Sequence, residues 1–228
     1  MAPMRLFPFR LRRLRVGPAS VVTCWLTCVV AGFALAWRYT SASGPTARAP
    51  QRLASVAAEV ASSTGSWPVG VARLLVFVHP RCPCSRATIE ELDRIVAHTR
   101  SRAAVRVYVL AASASDDAWQ HCQLSVAARA IPGVEVMPDV RGSIARGFGV
   151  GTSGTTLCYC AAGELLFQGG ITGERGHVGD NAGADAVVDA LLGEPVPISA
   201  APTYGCPLFD DAAPPAPIDE RVTTETMR

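Results

Sequence analysis

Two cysteines separated by one proline, Cys82-Pro83-Cys84, are the residues of this 228-residue chain best suited to chemistry. They follow an apolar run, Leu74–Val78, and precede an amphipathic stretch that ends near His98. This order predicts a buried strand that leads directly into a helix whose first turn carries both thiols. Unpaired N–H groups and aligned peptide dipoles at a helix N-terminus stabilise a thiolate. The spacing therefore predicts a nucleophilic cysteine at neutral pH.

The sequence alone does not determine which cysteine forms a disulfide with Cys82. A disulfide between Cys82 and Cys84 closes a small ring whose geometry Pro83 restricts further, and strained disulfides are reduced more easily. Cys206 offers a second pairing, because it lies in the segment 205–209, Gly-Cys-Pro-Leu-Phe. The apolar residues of that segment suit it to docking on the domain. Either Cys84 or Cys206 is therefore the expected partner of Cys82.

Three polar residues near the pair, or in a loop that faces it, are candidates for supporting roles. His79 precedes the cysteines and is expected to be a structural or pKa-tuning neighbour. Ser85 is expected to donate a hydrogen bond to the thiolate. His177 lies in the glycine-rich loop 169–179, a kind of loop that often carries function. A loop cap that links His177 to Asp180 is the structural alternative.

Charge divides the chain into two parts. All 21 basic residues are arginines, and eight of them precede Glu59, the first acidic residue. From Glu59 onward 19 acidic residues face 13 arginines, a balance of −6. A nucleic-acid-binding domain would carry clustered basic residues of its own. The acidic balance therefore argues against nucleic acid as a partner.

The basic N-terminus precedes an apolar run that is long enough to cross a membrane. Residues 19–37 carry no charge, and as a helix they would span about 28 Å, close to the ~30 Å hydrocarbon core. Five arginines within residues 1–18 predict that this end stays in the cytoplasm. We expect a basic cytoplasmic segment (1–18) and a single-pass inner-membrane anchor (19–38), with the domain in the periplasm or outside the cell. A cleaved signal peptide with small residues at 41–43 is the alternative.

The remainder divides into a tether, a domain and a tail. Residues 39–67 are rich in Ser, Ala, Gly and Pro, which predicts a tether. Residues 68–193 are predicted to form an α/β domain. Residues 194–228 are predicted to form a loose Pro-rich tail that contains Cys206. The predicted order in the domain is β-α-β-α-β-α-β-β-α. The predicted strands are Leu74–Val78, Ala104–Ala111, Gly133–Met137, Thr155–Cys160 and Glu164–Gln168. The predicted helices after the one that follows the cysteines are Asp116–Arg129, Val140–Phe148 and Asn181–Leu192.

This pattern resembles the thioredoxins, and among them the membrane-tethered proteins of the TlpA and ResA type. Within that group the chain most resembles the RedB-like proteins, through the segments His79–Ser85, Phe148–Gly154, Gly169–Gly183 and Tyr204–Phe209. The resemblance implies a thioredoxin-like fold, in which helices flank a central mixed sheet. It also implies thiol–disulfide oxidoreductase activity outside the cytoplasm, with protein thiols or disulfides as partners and no cofactor.

The site departs from the usual thioredoxin pattern in its second cysteine. The family has Cys-x-x-Cys followed by Arg-Ala, and the matching pair here is Arg86-Ala87. This match implies that Cys82 is the nucleophile. Ser85 then occupies the resolving position, and Cys84 lies one residue early.

A second departure lies in the loop that faces the site. Thioredoxins have a cis-proline there, where the backbone accepts a substrate strand. The matching position is Gly154, preceded by Ser153. Glycine permits unusual backbone angles without a proline ring.

Three other functions remain open. A Cu(I)-binding protein similar to the Sco type would use Cys82 and Cys84 with a histidine, His177 or else His79, since thiolates suit this soft ion. A peroxidase would use Cys82 alone, but the chain lacks the Thr-x-x-Cys arrangement of peroxiredoxins. A domain that only binds partners would explain the altered Cys-x-x-Cys.

Overall fold

The computed structural model describes residues 17–55, 66–100 and 102–209. The chain forms two compact units, Met1–Tyr39 and Thr40–Arg228. Predictions for most of the basic segment 1–18, for residues 56–65 of the tether and for the tail beyond residue 209 lie outside the described residues.

Helix α1 spans Pro18–Ser41, and most of it belongs to the first unit. It has 24 residues, which corresponds to a length of about 36 Å. None of its residues is buried, and its length and apolar composition are sufficient to cross a membrane. The predicted apolar helix is therefore present, a few residues longer than expected.

The second unit is built on one mixed six-stranded sheet with the order β3-β2-β1-β4-β5-β6. Strands β1, β2 and β3 run parallel, whereas β4 is antiparallel to both β1 and β5, and β6 is parallel to β5. The strands are β1 (Ala72–Val78), β2 (Ala103–Ala111), β3 (Val134–Val140), β4 (Thr155–Tyr159), β5 (Leu165–Gly170) and β6 (Ala200–Ala201).

Five helices of the described residues belong to this unit. They are α2 (Ser85–His98), α3 (Ala118–His121), α4 (Gln123–Ala130), α5 (Ser143–Gly147) and α6 (Ala182–Leu192), and a short 3-10 turn covers Leu53–Ser55. Asn181 caps α6, because its side-chain oxygen accepts from the backbone N–H of Ala184 at 2.8 Å.

The sheet separates two hydrophobic clusters. The side chains of β1 alternate between them, with Leu74, Val76 and Val78 on one face and Leu75 and Phe77 on the other. The first cluster also includes residues of α2, α4 and α6, such as Leu92, Leu124 and Val187. Both faces of β1 are covered, as expected for a central strand made of one continuous apolar run.

The second cluster is organised around aromatic rings. The ring of Phe148 lies 6.0 Å from that of Phe77 and 6.3 Å from that of Tyr159, centroid to centroid. Two segments outside the predicted domain also pack here, through Ala47 and Leu208. The packed unit is therefore larger than residues 68–193.

The structure corrects the predicted tether and tail. Ala47 and Ala49 are buried, and Arg52 forms a β-bridge with Glu164, so residues 44–53 are packed against the domain. At the other end, β6 joins the sheet beside β5. Low-complexity composition predicted loose segments, but both supply backbone hydrogen bonds and small apolar side chains to the domain.

Two predicted helices also differ. The predicted helix Asp116–Arg129 is interrupted at Cys122, whose extended backbone (ψ 149°) ends α3 and caps α4. The cap is the Cys122 sulfur, which accepts from the N–H of Ser125 at 3.4 Å. The predicted helix Val140–Phe148 begins later, at Ser143, because β3 continues through Val140.

Replacing Phe148 by Ala should lower the free energy of unfolding by about 3–5 kcal/mol, because the ring is fully buried among other aromatic rings. Val126→Ala is the control, since Val126 is 58% exposed and surface changes usually stay within about 0.5 kcal/mol. Denaturant unfolding of both variants measures the difference. Equal stabilities would contradict the packing described for this face of the sheet.

Candidate active site around Cys82

The cysteine pair lies between the end of β1 and the start of α2. A tight turn follows β1, in which the N–H of Cys82 donates to the carbonyl oxygen of His79 at 3.0 Å. Cys84 is the N-cap residue of α2, and Ser85 is the first helical residue. Both cysteine side chains are buried, with exposures of 2% for Cys82 and 7% for Cys84. The predicted strand, the helix after it and the position of the cysteines between them are confirmed. The helix begins at Ser85, however, so neither cysteine lies within its first turn.

The Cys82 thiol is the most acidic of the three thiols at the site. Burial raises its pKa, but hydrogen bonds from the Ser85 hydroxyl, from the backbone and thiol of Cys206, and from the Ser85 N–H outweigh burial and lower the pKa to about 7. The N–H of Cys206 lies 3.4 Å from the Cys82 sulfur. Hydrogen bonds to the charged form favour the thiolate, so a large share of Cys82 is ionised at neutral pH.

A chain of hydroxyl groups connects the N–H of His79 with Ser85, which lies beside this thiolate. The N–H of His79 donates to the Ser153 oxygen at 2.7 Å. The Ser153 and Ser85 oxygens are also 2.7 Å apart. When Ser153 donates to Ser85, the hydrogen of Ser85 is available for Cys82, in agreement with the Ser85 hydrogen bond that lowers the Cys82 pKa. Both serines are buried, so water does not compete for these groups.

Cys84 has the opposite electrostatic environment. Burial raises its pKa, and the charge of Cys82 raises it further. The guanidinium of Arg175 opposes both effects through a hydrogen bond and its positive charge. Arg175 also donates to the carbonyl oxygen of Gly205 at 2.8 Å. The second thiol is therefore held protonated beside the Arg175 guanidinium.

Cys206 lies against Cys82 because its segment pairs with the loop before β4. The N–H of Ser153 donates to the Cys206 carbonyl at 2.9 Å, and the N–H of Leu208 donates to the Gly151 carbonyl at 2.9 Å. Burial raises the pKa of Cys206 to about 11, and its hydrogen bond to Cys82 and the charge of that residue contribute. The structure therefore brings three of the predicted residues, Cys82, Cys84 and Cys206, to one site.

Gly154 occupies the loop position that the resemblance assigned to a cis-proline. Its φ is +91°, which favours glycine, and its N–H donates to the Phe77 carbonyl at 2.7 Å. A Cβ atom there would lie 2.9 Å from the hydroxyl oxygen of the buried Thr88. Gly154 therefore lets the loop approach both β1 and α2.

The two predicted histidines have different positions. The His79 Nδ1 accepts from the N–H of Arg81 at 3.2 Å, within the turn that carries Cys82. His177 lies in the loop after β5, where its N–H donates to the Glu174 carbonyl at 3.3 Å. Within residues 17–55, 66–100 and 102–209, no three His, Cys, Asp or Glu side chains form a group that could hold a metal ion. The Cu(I) set of Cys82, Cys84 and His177 is thus not assembled there.

A surface groove of about 400 Å³ gives access to the site. It lies between α2 and α4, and Cys82 and Pro83 border it together with Ile89 and Leu124. Neither Cys84 nor Cys206 lines this groove. A partner that enters the groove therefore meets the Cys82 side of the pair.

Comparison with known proteins supports the fold. No protein-family model and no curated protein matches the chain. An uncharacterized conserved protein from Geobacillus kaustophilus has a similar structure, with TM-score 0.50 and 14% identity over 76% of this chain and 93% of that one. A hypothetical protein from Sinorhizobium meliloti 1021 gives TM-score 0.49 and 24% identity over 63% and 82%. A secreted Mycobacterium tuberculosis disulfide oxidoreductase homologous to Escherichia coli DsbE gives 0.40 and 14% over 55% and 83%.

The chain has a thioredoxin-like fold. The mixed sheet flanked by helices, predicted from the sequence, is confirmed. The RedB-like resemblance stays a prediction.

Sequence reasoning missed two contributors to the thioredoxin-like site. Arg175 was not singled out, although it is the sole cation of its glycine-rich loop and contacts the Cys84 region. The loop with which the Cys206 segment pairs was also missed. The apolar residues of Gly-Cys-Pro-Leu-Phe indicated that the segment docks, and Leu208, which is 5% exposed, anchors it in the structure.

Replacing Ser85 by Ala should raise the pKa of Cys82 from about 7 towards about 8, because a hydrogen bond to a charged group is worth about 1.5 kcal/mol and one pKa unit about 1.4 kcal/mol. The pH dependence of Cys82 alkylation, followed by peptide mass spectrometry, measures this. Ser115→Ala, at an exposed loop position, should leave the midpoint unchanged. An unshifted midpoint in Ser85→Ala would mean that the hydroxyl does not stabilise the thiolate.

Proposed function

We propose that this protein is a membrane-anchored, extracytoplasmic thiol–disulfide oxidoreductase of the RedB-like type. The observation that carries the proposal is the Cys82 thiol, whose pKa is lowered to about 7 at the β1–α2 junction with a second thiol two residues away. Its partners would be protein thiols and disulfides in the periplasm. The apolar helix α1 and the arginines that precede it support the anchor and its orientation.

The magnitude of the pKa change favours catalysis. At pH 7 about half of a thiol with pKa 7 is ionised, against about 1% of one with the reference pKa of 9, a gain of roughly 50-fold in thiolate. The weaker intrinsic nucleophilicity of the more acidic thiolate costs roughly eightfold, with a Brønsted slope near 0.45. The net gain in attack rate is about sixfold.

In the first step, the Cys82 thiolate attacks one sulfur of a substrate disulfide. A bond forms between Cys82 and that sulfur, the substrate disulfide breaks, and the other substrate sulfur leaves as a thiolate that takes a proton from solvent. Ser85 and the N–H of Cys206 stabilise the attacking thiolate before this step.

In the second step, Cys84 resolves the mixed disulfide. Its thiol must lose a proton, and the charge of Cys82, which opposes this ionisation, disappears once Cys82 is in a disulfide. Arg175 then favours the Cys84 thiolate. The thiolate attacks the Cys82 sulfur, the substrate sulfur leaves, and a Cys82–Cys84 disulfide remains, so two electrons have passed to the substrate. Reversal of both steps oxidises a substrate dithiol.

Full-length protein in detergent, kept reduced by excess dithiothreitol, should catalyse reduction of a peptide disulfide faster than dithiothreitol does alone. Cys82→Ser should abolish this turnover, because it removes the nucleophile. Cys84→Ser should slow product release and leave a disulfide on Cys82. The readouts are the rate of peptide reduction and mass spectrometry after alkylation.

Cys160→Ser is the matched control, because Cys160 is partly exposed at the β4–β5 hairpin, at the other end of β4 from Ser153. It should react as the wild type does. Retained turnover in Cys82→Ser would exclude this mechanism.

A further inference from the structure

We propose that the segment 205–208 occupies the position where a substrate strand docks, and that Cys206 exchanges disulfides with Cys82 from this position. The inference rests on the proposed oxidoreductase function. It assigns the C-terminal segment two connected roles, as a built-in competitor of substrate and as the carrier of a third redox thiol.

The first argument is the backbone edge beside Cys82. A strand that presents a sulfur to Cys82 needs hydrogen-bond partners on the flanking loop, and the N–H of Ser153 and the carbonyl of Gly151 provide them. Both are already used, by the Cys206 carbonyl and the Leu208 N–H, each at 2.9 Å. Thr152 and Pro207 form an antiparallel β-bridge between these two bonds. The segment therefore has the backbone pairing that an incoming extended peptide would make.

The second argument is the alignment of Cys206. Its carbonyl faces Ser153, and its N–H lies 3.4 Å from the Cys82 sulfur. The segment thus presents a cysteine, rather than any other residue, at the point of the strand that meets the nucleophile. A disulfide between Cys82 and Cys206 would link residue 206 covalently to the turn that follows β1.

The third argument is that the segment is anchored on both sides of this pairing but paired over only a short length. Leu208 is buried in the second cluster, and the Phe209 ring lies 3.8 Å from the Arg146 guanidinium. Upstream, the N–H of Gly44 donates to the Thr203 carbonyl at 2.9 Å. The cysteine-bearing part itself is held by two backbone hydrogen bonds, by the Arg175 hydrogen bond to the Gly205 carbonyl and by the contact of the Cys206 N–H with the Cys82 sulfur. Local release can therefore expose the edge while the anchors keep the segment nearby.

The exchange needs no outside oxidant. The Cys206 thiolate attacks the Cys82 sulfur of a Cys82–Cys84 disulfide, a Cys82–Cys206 bond forms, and the Cys82–Cys84 bond breaks. Cys84 leaves as a thiolate and takes up the proton that Cys206 released. Two of the causes that raise the pKa of Cys206 are its hydrogen bond to Cys82 and the charge of that residue. Burial, the largest cause, persists, but these two contributions end when Cys82 enters a disulfide, so ionisation of Cys206 is opposed less in the oxidised site.

The first test maps disulfides in full-length Cys84→Ser after equilibration in glutathione redox buffers. We expect an internal Cys82–Cys206 disulfide as the main oxidised species, identified by mass spectrometry of alkylated peptides. The double variant Cys84→Ser/Cys206→Ser should carry glutathione on Cys82 instead. Cys84→Ser protein that carries only a Cys82–glutathione disulfide would overturn the exchange role of Cys206.

The second test releases the strand without touching a cysteine. A Cβ atom at Gly205 would lie 1.8 Å from the Ser153 carbonyl oxygen, so Gly205→Ala cannot keep the observed pairing. Gly173→Ala is the matched control, because a Cβ atom there meets its neighbours at ordinary distances of 3.7 and 4.0 Å. Circular dichroism and thermal unfolding establish that both variants are folded.

The readout is the rate at which the Cys82 thiolate reacts with a short synthetic cysteine peptide, supplied as its disulfide. The rate of each variant is divided by its ionised fraction of Cys82, taken from a pH titration, because release also removes the Cys206 hydrogen bonds that lower the Cys82 pKa. Because the segment belongs to the same chain, it competes with the peptide for the site at an effective concentration of about 1 mM. At about 0.1 mM peptide the segment is thus in roughly tenfold excess, so its release should speed the reaction by roughly tenfold. Gly173→Ala should react at the wild-type rate. Equal rates in folded Gly205→Ala and Gly173→Ala would overturn the competitor role.

These outcomes separate the inference from the function on which it rests. Wild-type protein whose Cys82 does not exchange with the peptide disulfide would refute the oxidoreductase proposal. Exchange at Cys82 with neither a Cys82–Cys206 disulfide nor a faster Gly205→Ala variant would refute the inference alone. The disulfide map does not depend on the folding of Gly205→Ala.

Discussion

Ser153 is the residue at which the separate parts of the site meet. Its hydroxyl accepts from the N–H of His79 after β1 and contacts the hydroxyl of Ser85 at the start of α2. Its backbone N–H holds the Cys206 segment. Because Ser153 is fully buried, each of these groups must find its partner inside the protein. The position of the nucleophile, of its hydrogen-bond donors and of the third thiol therefore depends on one short loop.

This arrangement gives the three thiols different chemical states within one small site. Donors from two directions favour the Cys82 thiolate, whereas burial keeps Cys84 and Cys206 protonated. The difference depends on the charge of Cys82, so it changes when that charge is lost in a disulfide. The charge of Cys82 therefore influences the ionisation of the other two thiols.

The sequence predicted correctly those elements that depend on residues close together in the chain. The continuous apolar run of β1, the cysteines at the next helix start and the helix predicted over Asn181–Leu192 each follow from neighbouring residues, and the structure contains all three. The break at Cys122 was missed because the residues around it have ordinary helix propensity. There the cysteine sulfur replaces the usual polar cap.

The wrong predictions of a loose tether and a loose tail concern contacts between distant parts of the chain. Residues 44–53 and 200–209 have the composition of linkers, and nothing within either segment indicates its partner. Their partners, such as Glu164 for Arg52 and Gly151 for Leu208, lie far along the chain. Pairing of this kind depends on the completed fold, which places the loop before β4 beside the end of β1. One sequence without that geometry cannot identify the match.

The C-terminal segment also changes how the sheet ends. Its two-residue strand β6 pairs with Gln168 and Gly169 of β5, the strand that would otherwise be the open edge. Open edges offer unpaired N–H and carbonyl groups to other chains and promote aggregation. The opposite edge strand, β3, carries Pro138, which has no N–H to offer. The same stretch of chain that carries the third thiol to the nucleophile thus helps to keep neighbouring molecules from joining their sheets.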